Sequence, residues 1–502
     1  MKTIVQSPSL DRRNAAWDVR HGSKNYAALV GAQIASGVLS FAAVWLATHL
    51  LGPTGYGGVV AIIAASQAIG QLGVNWTAVS LSRYGVEEFV ETGHVAKAFW
   101  TRFWIFLPNV ILILATSPLW LPWLVSLLKL PSQASPIVLS LFLASALWIH
   151  VQQALQGAKL MRLQASLLTF ERLLVLLIIL ACALTGKASF LNLALAYILA
   201  PIGACLAGLW RLRNLIFPVV GIDRALLKRM LTFSLPILPA SFVGYMSSNY
   251  LDAFFITHYL SGAHLGVYSV AYQLTGTGLQ LPLLVGSVLL PLFVTLQVEG
   301  QFDRAERFMH NALPLLTLLW GTACALAAAV GSYFLPLIFG EQFSGLGALL
   351  WPLMAAAALA GPTLMGYAPF SNSKSVTYIA MLGAIASALV NVVLNYLLIP
   401  TFGLMGCAWA TTAAYGVNTL VVVVLVHKRL LSGRPWTIQA VSPIVVGSML
   451  ASFYSVNLMA LAVTLLLSVA LMLLHRKSVS AGFKMLKNFQ RGGSEAPSVA
   501  ES

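Results

Sequence analysis

The chain of 502 residues is 59% hydrophobic and 9% charged, with a formal net charge of +15 and a mean hydropathy of +0.85. Soluble globular domains carry roughly 25% charged residues, so a water-soluble fold is excluded. The basic excess would suit nucleic acid, but its placement along the chain assigns it to membrane topology, and no nucleic-acid partner is expected.

Residues 1–24 are polar and basic, and the first apolar run is too long for a signal-peptide core. Apolar stretches that exceed the about 18 residues needed to cross a bilayer as a helix then recur to the end of the chain. Spans are expected at 25–50, 57–82, 98–120, 136–158, 164–185, 188–210, 230–259, 264–295, 309–338, 345–370, 376–399, 403–427, 437–453 and 455–474. The fold class is therefore an all-α polytopic membrane protein of about 14 transmembrane helices. Asp223 precedes Arg224-Ala225-Leu226-Leu227-Lys228-Arg229, which predicts an N-capped helix lying on the membrane surface before the seventh span. The Ser/Gly/Ala-rich end of the chain predicts a disordered tail.

Assigning the connections alternately to two sides puts every Lys and Arg on the side of the N-terminus except Lys129 and Lys187, with Arg102 and Arg172 counted with their adjoining connections. Lys and Arg are retained in the cytoplasm during insertion. This bias places both termini in the cytoplasm and the protein in the inner membrane as a multi-pass chain.

An internal repeat organises the spans. A shift of 209 residues lays Thr48-His49-Leu50-Leu51 on Thr257-His258-Tyr259-Leu260, Gly57 on Gly266, and Gln71-Leu72 on Gln280-Leu281, without a gap. Spans 1 and 7 then become equivalent, and an even number of spans per unit makes the repeat parallel, about an axis along the membrane normal. The expected organisation is an N-terminal segment (1–24), a six-helix bundle (25–210), a linker (211–229), a second six-helix bundle (230–427), an appended helix pair (428–474) and the tail (475–502).

Four cysteines, Cys182, Cys205, Cys324 and Cys407, fall in apolar segments without metal-ligand spacing, so neither a disulfide framework nor a metal site is expected. Ionisable groups inside spans are costly and are functional candidates by default. Asp252 in span seven reads as a proton- or cation-coupling carboxylate, or as an acid hydrogen-bonded between helices. Glu171 is a second coupling candidate. Adjacent Glu171 and Arg172, near the start of span five, diverge by about 100° around a helix and need different partners. Arg172 reads as a phosphate contact or a snorkelling arginine, and His150 as a helix-bundle histidine. Uncharged polar residues form stripes at helical spacing: Gln67, Gln71 and Asn75 in span two, Gln273, Thr277 and Gln280 in span eight, Tyr245, Asn249 and Asp252 in span seven, Asn391 and Asn395 in span eleven. Such groups line a water-filled cavity or bond between helices; the coincidence of Gln71 with Gln280 under the repeat favours the cavity for spans two and eight. No nucleophile elbow, zinc-protease or P-loop motif occurs, so no catalytic residue and no cofactor is expected.

The turn after span one reads Leu51-Gly52-Pro53-Thr54-Gly55-Tyr56-Gly57, and its counterpart includes Asp252 followed by Leu265-Gly266-Val267-Tyr268-Ser269-Val270-Ala271-Tyr272. Both resemble the polysaccharide biosynthesis/export family, the Wzx-type oligosaccharide flippases of the multidrug/oligosaccharidyl-lipid/polysaccharide exporter superfamily. Leu72-Gly73-Val74-Asn75 and Gly403-Leu404-Met405-Gly406-Cys407-Ala408 are similar to further turns of that family. The arginine-rich first helix that marks lipid II flippases is absent. The resemblance implies a transporter moving polyprenyl-pyrophosphate-linked oligosaccharides by alternating access through a central cavity, for O-antigen, capsule or exopolysaccharide assembly. It also implies membrane lipid, a polysaccharide polymerase and chain-length proteins as partners, and proton or sodium coupling. A pyrophosphate wants cations at the cytoplasmic mouth; of Arg83, Arg102, Lys159, Arg162, Arg172 and Lys374, the two closest to spans, Arg172 and Lys374, are preferred. The competing expectations are a cation-coupled multidrug exporter of the same superfamily and, from another class, a membrane polymerase or glycosyltransferase. The last is weakened by external connections whose formal charges are only Lys129, Lys187 and Glu341.

Overall fold

The structure, a computed structural model, describes residues 12–219, 221–235, 238, 249–433 and 436–490. Among the described residues there are helices and no strands. The first half comprises α1 (Arg12–Gly73), α2 (Ala78–Thr92), α3 (Ala96–Leu127), α4 (Ala134–Gly157), α5 (Met161–Leu184) and α6 (Phe190–Ile216). Helix α7 (Arg224–Ser234) follows, and then α8 (Asn249–Tyr259), α9 (Gly262–Val298), α10 (Phe302–Arg307), α11 (Leu313–Phe339), α12 (Leu346–Pro362), α13 (Ala368–Ser373) and the long α14 (Tyr378–Arg429). The chain closes with α15 (Thr437–Tyr454), α16 (Asn457–Leu474) and α17 (Arg476–Gln490). Single π-turns at Phe308–Ala312 and Thr363–Tyr367 join α10 to α11 and α12 to α13.

Among the described residues, 11 helices are long and apolar enough to span a bilayer. Two of these, Gly31–Gly73 and Tyr378–Arg429, bend back on themselves and cross twice. The bends are at Gly52 (φ 62°) and Gly403 (φ 59°), left-handed positions that glycine adopts without a Cβ penalty. Pro53, directly after Gly52, has no N–H to leave unsatisfied at the start of the returning limb. The chain is a multi-pass membrane protein, and residues 236–237 and 239–248 of the expected seventh span (230–259) lie outside the described residues. We call the Lys/Arg-rich end the basic face and the other the far face.

Helices α1 to α6 pack on one another, α8 to α14 form the second group, and α15 and α16 are fastened to the outside of the second group through α11 and α12. The most extensive contact between the halves is α1 against α9. At the far face it is a close approach of backbone to backbone. A Cβ on Gly57 would run into the carbonyl of Gly262, and a Cβ on Gly266 into the carbonyl of Pro53. Shifting Pro53 and Gly57 by 209 residues gives Gly262 and Gly266, so this is one contact seen twice across the pseudo-two-fold axis. Lys129 adds a clasp on that face, donating to the carbonyls of His258 (3.3 Å) and Leu260 (3.2 Å), and Trp45 Nε1 donates to Ile338 O at 3.1 Å. Contact continues inward as far as Gly37 and Thr277.

One hydrophobic cluster, running from Ala43 through Tyr56 to Ala253 and Tyr268, joins both halves on the far side. At the basic end, among the described residues, each half has its own core: one of Leu81, Phe99, Trp148, Leu155 and Leu212 in the first half, and one of Phe293, Phe308, Tyr367, Phe370 and Val422 in the second.

Three expectations need correction. Span two is not continuous over 57–82: α1 ends at Gly73, a 3₁₀ turn spans Asn75–Thr77, and α2 carries on to Thr92. There, side chains take the carbonyls that the helix would use, with Trp76 Nε1 on Gly73 O (3.2 Å) and Thr77 Oγ1 on Val74 O (3.0 Å). The tail expected to be disordered contains α17, whose Met485 and Leu486 pack on the second basic-end core. Glu171 and Arg172 sit midway along α5 rather than near its start. The surface helix before span seven is present as α7, and Asp223 caps it by accepting from the amides of Ala225 and Leu226, each at 3.0 Å.

Candidate functional site

The polar groups of the membrane interior gather in a layer where the halves meet. On the second half, Asp252 occupies the first turn of α8 and is 1% exposed. Its Oδ1 accepts from Asn395 Nδ2 at 2.7 Å, and its Oδ2 from Tyr268 OH at 2.8 Å. Thr411 Oγ1 stands 3.3 Å from the same Oδ2 and 3.0 Å from the Tyr268 oxygen. Asn395 Nδ2 also donates to Asn391 Oδ1 at 3.1 Å. Four elements therefore converge on one carboxylate: α8, α9 and the two limbs of α14 on either side of Gly403. No Lys, Arg or His among the described residues forms an ion pair with it. The Asn395 Oδ1 atom is buried and lacks a hydrogen-bond partner among those residues. An isolated buried charge held only by neutral donors is expensive, since an aspartate in a span costs about 2.5–3.5 kcal/mol even on insertion scales. Hydrogen bonds to a charged group return about 1.5–3 kcal/mol each. The donor set, a carboxylate with amide and hydroxyl oxygens around it, is one that takes up a proton or a small hard cation.

On the first half the corresponding charge is Arg172. Its side chain is half-buried and has no hydrogen bond or ion pair to a described residue. It lies within electrostatic reach of Tyr197 on α6 and of Tyr250 on α8, across the interface. Tyr56 neighbours the same two tyrosines, and its hydroxyl donates to Gln273 Oε1 of α9 at 3.4 Å. Tyr272 and Tyr415 follow, with hydroxyls 3.5 Å apart. Arg172 and Asp252 are thus the two ends of one band of tyrosine hydroxyls and amides that bridges the halves.

The other expected site residues are distributed as follows. Gln67 and Gln71 are half-buried on the returning limb of α1, and Asn75 Nδ2 reaches Gln71 Oε1 at 3.5 Å from the 3₁₀ turn beyond it. Gln280 is half-buried on α9, without a hydrogen bond to a described residue. Asn391 and Asn395 are buried beside Asp252. Asn249 opens α8, and Tyr245 lies outside the described residues. Glu171 points away from Arg172, with Oε2 accepting from Trp148 Nε1 at 2.9 Å. Lys374 is occupied: its Nζ donates to Leu430 O at 3.1 Å and lies 4.7 Å from the centroid of the Phe370 ring. Arg102 is fully buried against His150 Nδ1, among Phe99, Phe103 and Phe106. Arg83 is exposed over Phe233 on α7, at 4.5 Å from the ring centroid.

Sequence reasoning missed the tyrosines. Tyr268 and Tyr272 stand in the Leu265–Tyr272 stretch that carries the family resemblance, four residues apart and hence on one helix face, so a signal was there. Thr411, Tyr197 and Tyr415 belong to the site only through the fold.

The polysaccharide biosynthesis protein family matches residues 23–297. A curated relative, the probable low-salt glycan biosynthesis flippase Agl15 of Haloferax volcanii, is 25% identical over 186 residues, which is 36% of this chain and 38% of that protein. The matched stretch thus spans little more than a third of the relative's length. Among solved structures, the lipid II flippase MurJ in an inward closed conformation superposes with a TM-score of 0.65 at 13% identity, covering 89% of this chain and 99% of that one. An inward-facing multidrug resistance MATE family transporter of the MOP superfamily gives 0.59 at 15% identity, over 82% and 94% of the two chains. At these identities the structural likeness establishes the fold.

Proposed function

The chain belongs to the polysaccharide biosynthesis protein family and is a transporter rather than an enzyme, and on that premise we propose that it flips polyprenyl-pyrophosphate-linked oligosaccharides from the cytoplasmic to the opposite leaflet of the inner membrane, for O-antigen, capsule or exopolysaccharide assembly. The observation that carries this reading is Arg172. It is a half-buried cation midway along an apolar helix, unpaired among the described residues, and bounded by tyrosines and amides of both halves. A guanidinium presents several donors to phosphate oxygens, and tyrosine rings and amides suit sugar rings without demanding one sugar.

In this reading the basic face is cytoplasmic, and the halves separate there to admit substrate from the leaflet where the lipid-linked glycan is made. The pyrophosphate reaches Arg172, the sugars lie among Gln67, Gln71, Gln273 and Gln280, and the polyprenyl tail stays in the bilayer. Transport requires the far-face contact at Gly57 and Gly266 to open while the basic ends close. The sequence has no ATP-binding motif, so the energy comes from an ion gradient, from the membrane potential or from downstream consumption of the product; in the first case a proton or sodium ion is taken up at Asp252, with Asn391, Asn395 and Thr411 supplying further oxygens. A polymerase and a chain-length protein would consume the product.

The test is the pool of lipid-linked glycan in cells depleted of the protein. Repeat units on polyprenyl pyrophosphate should accumulate in the cytoplasmic leaflet while surface polysaccharide falls. A normal pool and normal surface glycan, with new sensitivity to cationic drugs, would overturn this reading in favour of drug export.

A further inference from the structure

Helix α17 has a composition and a setting that flipping does not use. Its sequence, Arg476–Gln490, contains Arg476, Lys477, Lys484 and Lys487 and no acid. Arg476, Ser480, Lys484 and Lys487 follow one another at spacings of four, four and three, so they form one stripe, and all four are exposed. The opposite side of the helix is fixed in place. Gly482 lies against Asn311 in the π-turn, where a Cβ would come within 2.7 Å of the Asn311 carbonyl. Met485 packs on the second basic-end core, Val479 at the border of the stripe packs beside Trp436, and His475, just before the helix, stacks on that same indole with centroids 4.6 Å apart. The basic stripe is therefore held in one direction.

The cations Arg476, Lys484 and Lys487 line a groove of about 440 Å³ whose apolar wall includes Phe483 and, from the last turn of α16, Met472. Phe483 is 50% exposed, and on the side of α16 that carries Met472 the helix exposes Val469 at 54% and Leu465 at 42%. A soluble phosphate or an acidic protein has no use for a phenylalanine beside the cations and an apolar row leading away from them. A phosphate carrying two acyl chains uses both.

We propose that the corner between α16 and α17 is a docking site for an anionic phospholipid, with the phosphodiester under Arg476, Lys484 and Lys487 and the acyl chains along α16. A basic amphipathic helix beside a membrane attracts anionic headgroups at about fivefold per cation; here the groove turns that diffuse attraction into a defined seat. The site is separate from the cleft between the halves, so it does not depend on which substrate the cleft carries.

Native mass spectrometry of the detergent-solubilised full-length protein tests this, using phosphatidylglycerol and phosphatidylcholine with identical acyl chains as probes. Wild type should retain one phosphatidylglycerol in preference to phosphatidylcholine. The triple variant Arg476→Gln, Lys484→Gln, Lys487→Gln should lose that preference by on the order of a hundredfold. Lys484→Arg should keep it. Lys477→Gln removes a cation of the same helix that does not line the groove, and should also leave it intact. Equal retention of the two lipids by wild type would overturn the proposal. So would a loss in Lys477→Gln as large as that from any one groove cation, which would mean a diffuse charge effect. Displacement of the bound lipid by inorganic phosphate, or by a polyprenyl diphosphate at equal concentration, would likewise overturn it by assigning the groove to another ligand.

Discussion

Two charges in the membrane interior, Asp252 and Arg172, are held in opposite ways. Asp252 is saturated: hydrogen bonds from α9 and α14 converge on both its oxygens, and it is shut away from the cleft. Arg172 is half-buried, with tyrosines as neighbours and no acid to neutralise it among the described residues. A buried charge with its hydrogen bonds complete is suited to a small ion that slips in among oxygens already present. A charge left wanting is suited to a large anion that brings its own acceptors. The repeat sharpens the contrast, since the position equivalent to Asp252 in the first half is Ala43.

Three substitutions probe this division. The largest effect is expected from Asp252→Asn, which keeps the shape and removes the charge. In proteoliposomes, acceleration of flipping by an imposed proton or sodium gradient should fall on the order of a hundredfold, the upper part of ordinary coupling energies, while insertion is unaffected. An undiminished gradient response would remove Asp252 from coupling. Next comes Arg172→Gln. Binding of a polyprenyl-pyrophosphate glycan to purified protein should weaken by about 10- to 100-fold, the loss of one charge-assisted phosphate contact, with the gradient response retained. Lys374→Gln, whose ammonium is already spent on the Leu430 carbonyl, should change binding little, and equal losses from the two would dissolve the distinction. Gly57→Ala and Gly266→Ala probe the contact between the halves and not the charges. Each should disfavour far-face closure by about 1–3 kcal/mol, as overpacking does, read as a shift in the distance distribution between spin labels on the far-face turns. Because the two contacts are reciprocal, the shifts should match; a shift from one alone would show that the halves do not meet symmetrically.

Much of this was legible beforehand because membranes impose simple rules. Membrane-crossing helices followed from apolar length, and the equivalence of Gly57 and Gly266 from the 209-residue shift. The capped helix after Asp223 was visible for a local reason, a side chain reaching amides two and three residues on. What escaped depends on partners distant in sequence. The break after Gly73 is made by Trp76 and Thr77 bonding back to carbonyls, which no hydropathy window registers. The order of α17 comes from Gly482 docking on Asn311, and composition alone suggested a free tail. Lys374 looked available because its acceptor, Leu430, is 56 residues away. The tyrosine band was passed over because hydropathy treats tyrosine as a nearly apolar filler, while at an interface its hydroxyl is the part that matters.

The reciprocal glycine contact also sets the mechanical advantage of the molecule. Placed at one rim, it is a fulcrum, and each bundle is a lever about as long as the membrane core is thick. A tilt of about 10° on an arm of about 30 Å moves the opposite rim by roughly 5 Å per bundle, while the backbones at the pivot barely shift. Wide opening at one face would therefore need little rearrangement at the other, and in the proposed alternating-access cycle the demanding step is handing the fulcrum from one rim to the opposite one.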